Sequence, residues 1–174
     1  MKGLKLAVAI LTFGTWGTFA IASQAEAKNL SPTQPSQTII AQTPATPPAS
    51  NSTVASYLKR GIDKFQAKNY SGAIEDFNQA LKLEPKNTSA YVGRGAARFL
   101  LKQFPDAKTD FDTALEISPN IAYAHYFRGL TNYALKNKPA AIADLRKAST
   151  LFQQEGNQEL AQKAENTAKQ IEAN

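Results

Sequence analysis

Small and apolar residues recur with a period of 34 between residues 54 and 153. Five registers keep this period through three copies: Gly61, Gly95 and Gly129; Phe65, Phe99 and Tyr133; Ala73, Ala107 and Ala141; Phe77, Phe111 and Leu145; Ala80, Ala114 and Ala148. Within a copy, neighbouring positions on the same segment are three, four or seven residues apart, as on one face of a helix. The pattern predicts three helix pairs, each a helix A followed by a helix B, at residues 54–87, 88–121 and 122–153.

A further helix is predicted after the third copy, at residues 157–172. Asn157 is a suitable N-cap for it. Its apolar residues form a narrow stripe, and its other faces are polar. The stripe consists of Leu160, Ala164, Ala168 and Ile171. Such a helix would cap the open end of a repeat array, because a terminal repeat needs a polar outer face. A helix that binds a partner is the alternative.

The first 51 residues have a different character. Residues 1–27 combine two early lysines, an uncharged apolar run at residues 6–22 and an Ala-Glu-Ala cleavage motif. This order is typical of a secretory signal peptide, and an uncleaved membrane anchor is the alternative. Residues 28–51 are rich in Pro, Thr, Ser and Gln, which predicts a disordered spacer. We therefore expect export to the periplasm or another extracytoplasmic compartment, or anchoring by residues 6–22.

The repeat resembles the tetratricopeptide repeat family. The resemblance is carried by residues at family positions in each copy: Tyr57, Gly61, Tyr70, Ala73, Phe77, Ala80 and Pro85; Tyr91, Gly95, Phe104, Ala107, Phe111, Ala114 and Pro119; Gly129, Tyr133, Ala141, Leu145 and Ala148. It implies an all-α fold, a right-handed superhelix of three helix-turn-helix repeats plus a C-terminal capping helix. The arginine before each glycine, where the family more often has leucine, and His125 in place of a large aromatic are departures from the family pattern.

In this family the A helices line a concave groove that binds peptides or proteins. The resemblance places twelve residues there: Leu58, Lys59, Ile62 and Phe65; Val92, Ala96 and Phe99; Tyr123, Tyr126, Phe127, Leu130 and Tyr133. The last set is rich in aromatics, which are typical of binding hot spots. Packing of these aromatics under the C-terminal helix is the alternative.

One subclass of the family clamps a peptide carboxylate with Lys, Asn and Arg side chains on the A helices. Lys59 fits such a set, but the equivalent positions in the next copies are Gly93 and Phe127, which offer no polar side chain. A groove lined by apolar and aromatic residues instead predicts a peptide that is held mainly by burial.

Two charged registers share the 34-residue period. They are Arg60, Arg94 and Arg128 on helix A, and Asp76, Asp110 and Asp144 on helix B. Because the periods match, we predict a ladder of Arg–Asp pairs joining the two helices of each repeat, with nitrogen–oxygen distances within about 4 Å. A basic stripe for an acidic partner is the alternative.

Composition narrows the classes of function. The net charge of +6 is spread along the helices rather than gathered in a dense basic block, which argues against nucleic-acid binding. The chain has no cysteine, so disulfides and thiolate chemistry are excluded. His125 is the only histidine, and it supports neither a catalytic triad nor a His/Cys metal site. We expect no enzymatic activity, no cofactor and no metal.

These features predict a monomeric, non-catalytic scaffold or adaptor that binds a protein or peptide outside the cytoplasm. The alternative is a structural unit that self-associates, or that stays on the membrane through residues 6–22. No motif in the sequence identifies the partner.

Overall fold

The helical periodicity of the sequence is realised as seven α-helices, with no strand, in residues 53–173, which are the residues that the computed structural model describes. They are α1 (Val54–Gln66), α2 (Tyr70–Leu83), α3 (Thr88–Leu100), α4 (Phe104–Ile117), α5 (Ala122–Ala134), α6 (Lys138–Gln154) and α7 (Gln158–Ala173). The predicted all-α fold class is confirmed. The predicted signal peptide or anchor and the spacer lie outside the described residues. No described helix is long and apolar enough to cross a membrane.

Short polar side chains fix where most of these helices begin. Thr53, Asn69, Asn87 and Asn137 each accept a hydrogen bond from a backbone N–H in the first turn of the helix that follows. Asn157 does the same for α7 at 3.1 Å, as its position in the sequence predicted. A cap of this kind is worth about 1 kcal/mol, so the helix starts are set largely by local sequence.

The periodic apolar residues meet where neighbouring helices pack. Helices α1, α3 and α5 pair with α2, α4 and α6, and each second helix also packs on the first helix of the next pair. Phe111 and Leu145 are fully buried, and Phe77 is 2% exposed. A Cβ on Gly95 would lie 2.7 Å from the Phe111 ring, so glycine is needed for this close approach of α3 to α4.

Helix α7 covers the end of the array, as predicted for a capping helix. It packs on α6, whose Leu151 and Phe152 are 5% and 0% exposed. On α7 itself the buried side chains are Leu160, Ala161, Ala164, Ala168 and Ile171. Residues 50–174 form one compact unit. Since its core and caps come from its own residues, and about three repeats suffice for stability, this unit should fold by itself.

The predicted ladder of Arg–Asp pairs is confirmed. Nη2 of Arg94 lies 2.6 Å from Oδ1 of Asp110, Arg128 and Asp144 are also 2.6 Å apart, and Arg60 pairs with Asp76. The three aspartates are buried, at 1–6% exposure. The other guanidinium nitrogen reaches across to the preceding repeat: Nη1 of Arg94 donates to Asn78 at 2.6 Å, and Nη1 of Arg128 donates to Asp112 at 2.9 Å. The ladder therefore fixes both the pairing within a repeat and the register between repeats.

A third set of residues, charged or polar and also on the A helices, completes this ladder. It was not predicted from the sequence. Lys64 lies 2.8 Å from Asp76, Arg98 lies 2.7 Å from Asp110, and Asn132 donates to Asp144 at 3.0 Å. These residues are 34 apart, so their shared polarity was a usable signal. Burial by itself raises the pKa of Asp76, but hydrogen bonds from Arg60 and Lys64 outweigh it and lower the pKa below its usual value.

Candidate binding surface

Helices α1, α3 and α5 run side by side, so side chains at equivalent positions on them form one continuous face. We call this face the A-helix face. Most of the predicted groove residues on it are partly exposed: Leu58, Ile62, Phe65, Val92, Phe99, Tyr123, Phe127, Leu130 and Tyr133. This contrasts with the helix-B registers, where the alanines at 73, 107 and 141 have no exposed surface. The A-helix face thus carries apolar surface that the fold itself covers only in part.

Two of the predicted groove residues are buried. Ala96 is 4% exposed and Tyr126 is 6% exposed. The Tyr126 ring packs edge-to-face against Phe152, with centroids 6.3 Å apart, and burial raises the pKa of its hydroxyl. These two residues form the floor beneath the A-helix face and offer a ligand little surface of their own.

Two other aromatic side chains of the third repeat pack against neighbouring rings but stay partly exposed. Phe127 stacks on Phe111 at 6.1 Å and contacts Phe99 edge-on at 6.0 Å, so it joins the second repeat to the third. Tyr123 packs edge-on against Phe152 at 5.1 Å yet stays partly exposed. Burial, followed by the nearby charge of Glu155, raises the Tyr123 pKa. Packing near the C-terminal end of α6 therefore accounts for part of this aromatic cluster.

Tyr123 and Tyr126 both pack on Phe152, although the sequence pattern does not single this residue out. The residue 34 positions earlier is Ser118, so no repeat register points to a buried aromatic there. Helix α6 has 17 residues, whereas α2 and α4 have 14 each, and Phe152 lies in this extension. Its burial therefore depends on packing with Tyr123 and Tyr126 of the third repeat rather than on the period.

The surroundings of Gly93 show why the carboxylate clamp of the family subclass cannot be built on α3. A Cβ added at Gly93 would lie 2.5 Å from Cζ of Phe77, so no polar side chain fits there while that ring stays in place. Lys59, the one clamp-like residue, is instead paired with Asp63 at 2.9 Å, and its side chain is 79% exposed. Among the predicted groove residues, the one charged side chain is therefore that of Lys59, at the α1 end of the A-helix face.

Both ring nitrogens of His125 are within hydrogen-bond distance of groups of the fold. Its Nδ1 lies 3.1 Å from Asp144, and its Nε2 lies 2.9 Å from the backbone carbonyl of Pro119, in the turn before the third repeat's helix A. Tyr91 contacts the carbonyl of Pro85 at the equivalent place, with its hydroxyl donating at 3.2 Å. Within residues 53–173, no group of three His, Cys, Asp or Glu side chains is arranged to hold a metal ion.

Stacked helix pairs with a partly exposed A-helix face define a helical repeat scaffold. Residues 63–102 match the profile of the TPR repeat, and residues 101–155 match that of the tetratricopeptide repeat, so the two matches together span more than half of the chain. The chain belongs to the tetratricopeptide repeat family.

Solved structures share this fold. The TPR domain of Arabidopsis OM64 is 26% identical, with a TM-score of 0.62 over 68% of this chain and 95% of that chain. The first TPR domain of Spaghetti (RPAP3), bound to the HSP90 peptide SRMEEVD, is 24% identical, with a TM-score of 0.62 over 70% and 94%. The yeast Sti1 TPR2B domain, in complex with pHsp70, is 23% identical, with a TM-score of 0.61 over 67% and 96%. No curated protein sequence matches this chain.

Proposed function

We propose that this chain is a non-catalytic interaction scaffold that binds a peptide or protein segment across the A-helix face, outside the cytoplasm. The observation that carries the proposal is the row of partly exposed apolar side chains on α1, α3 and α5. Burying apolar surface yields roughly 25 cal/mol per Å², so a segment laid along this row would gain affinity chiefly by covering it.

The chemistry of the face favours an apolar segment over an acidic peptide tail. The RPAP3 domain is bound to SRMEEVD, a peptide with two glutamates and a terminal aspartate. In this chain the middle of the face has Gly93 against Phe77, and Lys59 at the end is engaged by Asp63. We therefore expect segments with leucine and aromatic side chains to bind, and SRMEEVD not to bind.

The binding test uses residues 50–174 to select peptides from a displayed random library, followed by calorimetry on the enriched sequences. Leu130→Lys and Tyr133→Ser place polar groups on the A-helix face and should weaken binding at least tenfold. Leu83→Lys is the matched control, because Leu83 ends α2 and is 53% exposed. Equal loss in face and control variants, or no enrichment of apolar sequences, would count against the groove.

Export is a separate part of the proposal and rests on residues 1–27. Expression of the full chain in a bacterial host, followed by fractionation and intact-mass measurement, should give an extracytoplasmic protein that begins at Lys28. A membrane-bound product of full mass would instead favour the alternative anchor at residues 6–22. A full-length cytoplasmic product would contradict both.

A further inference from the structure

The turn between helix A and helix B has the same unusual backbone in all three repeats. Lys68, Lys102 and Lys136 adopt left-handed conformations, with φ of 61°, 61° and 66°. Each lysine donates its N–H to a carbonyl three residues back, and the next residue donates to a carbonyl five residues back. This is the Schellman ending of a helix, in which the left-handed position is usually glycine.

Lysine at this position is unfavourable for the fold. A residue with a Cβ resists left-handed backbone, whereas glycine adopts it readily. The chain itself uses glycine for the same ending between α6 and α7, where Gly156 has a φ of 77° and the same hydrogen-bond pattern. The three lysines therefore occupy positions that glycine would fill with less strain.

Nothing within the described residues accounts for these lysines. All three side chains are exposed, and none of them forms an ion pair within residues 53–173. Because α1, α3 and α5 lie side by side, their C-terminal turns follow one another along one edge of the array. Lys138, the first residue of α6, adds a fourth exposed cation. Of the first turns of α2, α4 and α6, which adjoin these lysines, only that of α4 has an acidic residue, Asp106.

Apolar side chains accompany the lysines on this edge. Leu101 and Leu135 immediately precede Lys102 and Lys136, and each is 37% exposed. An ammonium group beside a partly exposed leucine suits the interface of an anionic bilayer, where the cation meets lipid phosphates and the leucine approaches the acyl chains. An acidic polypeptide would engage the lysines but would give the leucines no role.

We propose that the edge formed by Lys68, Lys102 and Lys136, with Leu101 and Leu135, docks on the surface of an anionic lipid bilayer. This edge is distinct from the A-helix face. The protein can therefore bind a peptide on the A-helix face and a membrane at this edge at the same time. Docking of this kind is electrostatic and weakens as salt screens the charges.

The test measures co-sedimentation of residues 50–174 with vesicles of phosphatidylcholine containing 30–40% phosphatidylglycerol (about one lipid in three), at low and high salt. Removing residues 1–49 excludes insertion of the apolar N-terminal run. Lys68→Gly, Lys102→Gly and Lys136→Gly are combined, since glycine keeps the turn geometry and the variant should be at least as stable as the parent. The control combines Lys82→Gln, Lys86→Gln and Lys147→Gln, which removes three exposed charges elsewhere.

We expect the parent to bind anionic but not neutral vesicles, and the glycine variant to bind roughly 100-fold more weakly, since three lysines near the surface are removed. The control variant should lose less than about fivefold, from its lower net charge alone. Leu101→Ser with Leu135→Ser should weaken binding without changing its salt dependence. Equal loss in the two lysine variants, no vesicle binding by the parent, or binding to polyglutamate but not to vesicles would overturn the proposal.

Discussion

Replacing Asp110 by asparagine tests whether a buried Arg–Asp pair of the ladder holds the two helices of a repeat together. Asp110 is 1% exposed and accepts hydrogen bonds from Nε and Nη2 of Arg94, the latter at 2.6 Å, and from Arg98 at 2.7 Å. Asparagine keeps the shape but removes the charge, and it turns one carboxylate oxygen into an amide nitrogen that faces guanidinium donors. Breaking a buried ion pair costs about 3–5 kcal/mol.

The lower end of that range applies here, because the side chains of Arg94 and Arg98 are 17% and 23% exposed and can recover some hydration. We expect Asp110→Asn to lower the free energy of unfolding by about 3 kcal/mol, or the melting temperature by roughly 10 °C for a unit of this size.

Urea unfolding of residues 50–174, followed by circular dichroism, measures this loss. The matched control is Asp112→Asn on the same helix, because Asp112 is 34% exposed and also pairs with an arginine, Arg128 at 2.9 Å. A partly exposed pair contributes less than about 1 kcal/mol. If the two variants lose the same stability, burial does not make the Arg94–Asp110 pair more stabilising than the partly exposed pair of Asp112.

Three further predictions follow from the same contacts. Hydrogen bonds from His125 and Arg128 lower the pKa of Asp144 against the opposing effect of burial; its contribution to stability should therefore be complete above about pH 5 and fall as pH drops below its unfolded pKa of about 4, and Asp144→Asn should flatten that part of a pH series of urea midpoints. Phe152→Ala, at a site with 0% exposure, should cost about 3–5 kcal/mol and reduce the near-ultraviolet dichroism of the tyrosines that pack on it; retained signal and stability would contradict the packing role. Asn87→Ala removes the cap on α3, which accepts from the Ala90 N–H at 2.9 Å, and should cost about 1 kcal/mol in thermal unfolding, with no change in any peptide affinity measured at a temperature where the unit is fully folded.

The Arg–Asp ladder also bears on the proposed binding role. The guanidinium of Arg128 joins Asp144 in its own repeat to Asp112 in the preceding one, and hydrogen bonding to Asp144 raises the pKa of that guanidinium. Helices α3 and α5 are therefore each fixed against two B helices, their own and that of the preceding repeat. This keeps the spacing of α1, α3 and α5, and a rigid A-helix face loses less conformational entropy when it binds a segment.

The helices of this protein could be predicted from the sequence because the features that specify a helix lie within the helix and the residues next to it. Apolar spacing sets which face of a helix is buried, and caps such as Asn87 and Asn157 set where helices begin. The 34-residue period also predicted a tertiary contact, because Arg94 and Asp110 both recur with it and the structure pairs them. Repeats allow this because every copy meets nearly the same neighbours, so one contact rule holds along the array.

Tertiary structure alone decided which of the groove residues are open. Tyr126 and Tyr133 lie on the same helix and have similar chemistry, yet Tyr126 is buried against Phe152 while Tyr133 is partly exposed. The sequence around a helix does not show which neighbour covers it, and the extended α6 has no counterpart in the earlier repeats. The left-handed lysines, such as Lys102, were equally hidden, because a backbone angle is set by how the next helix must pack rather than by the residue's own preference.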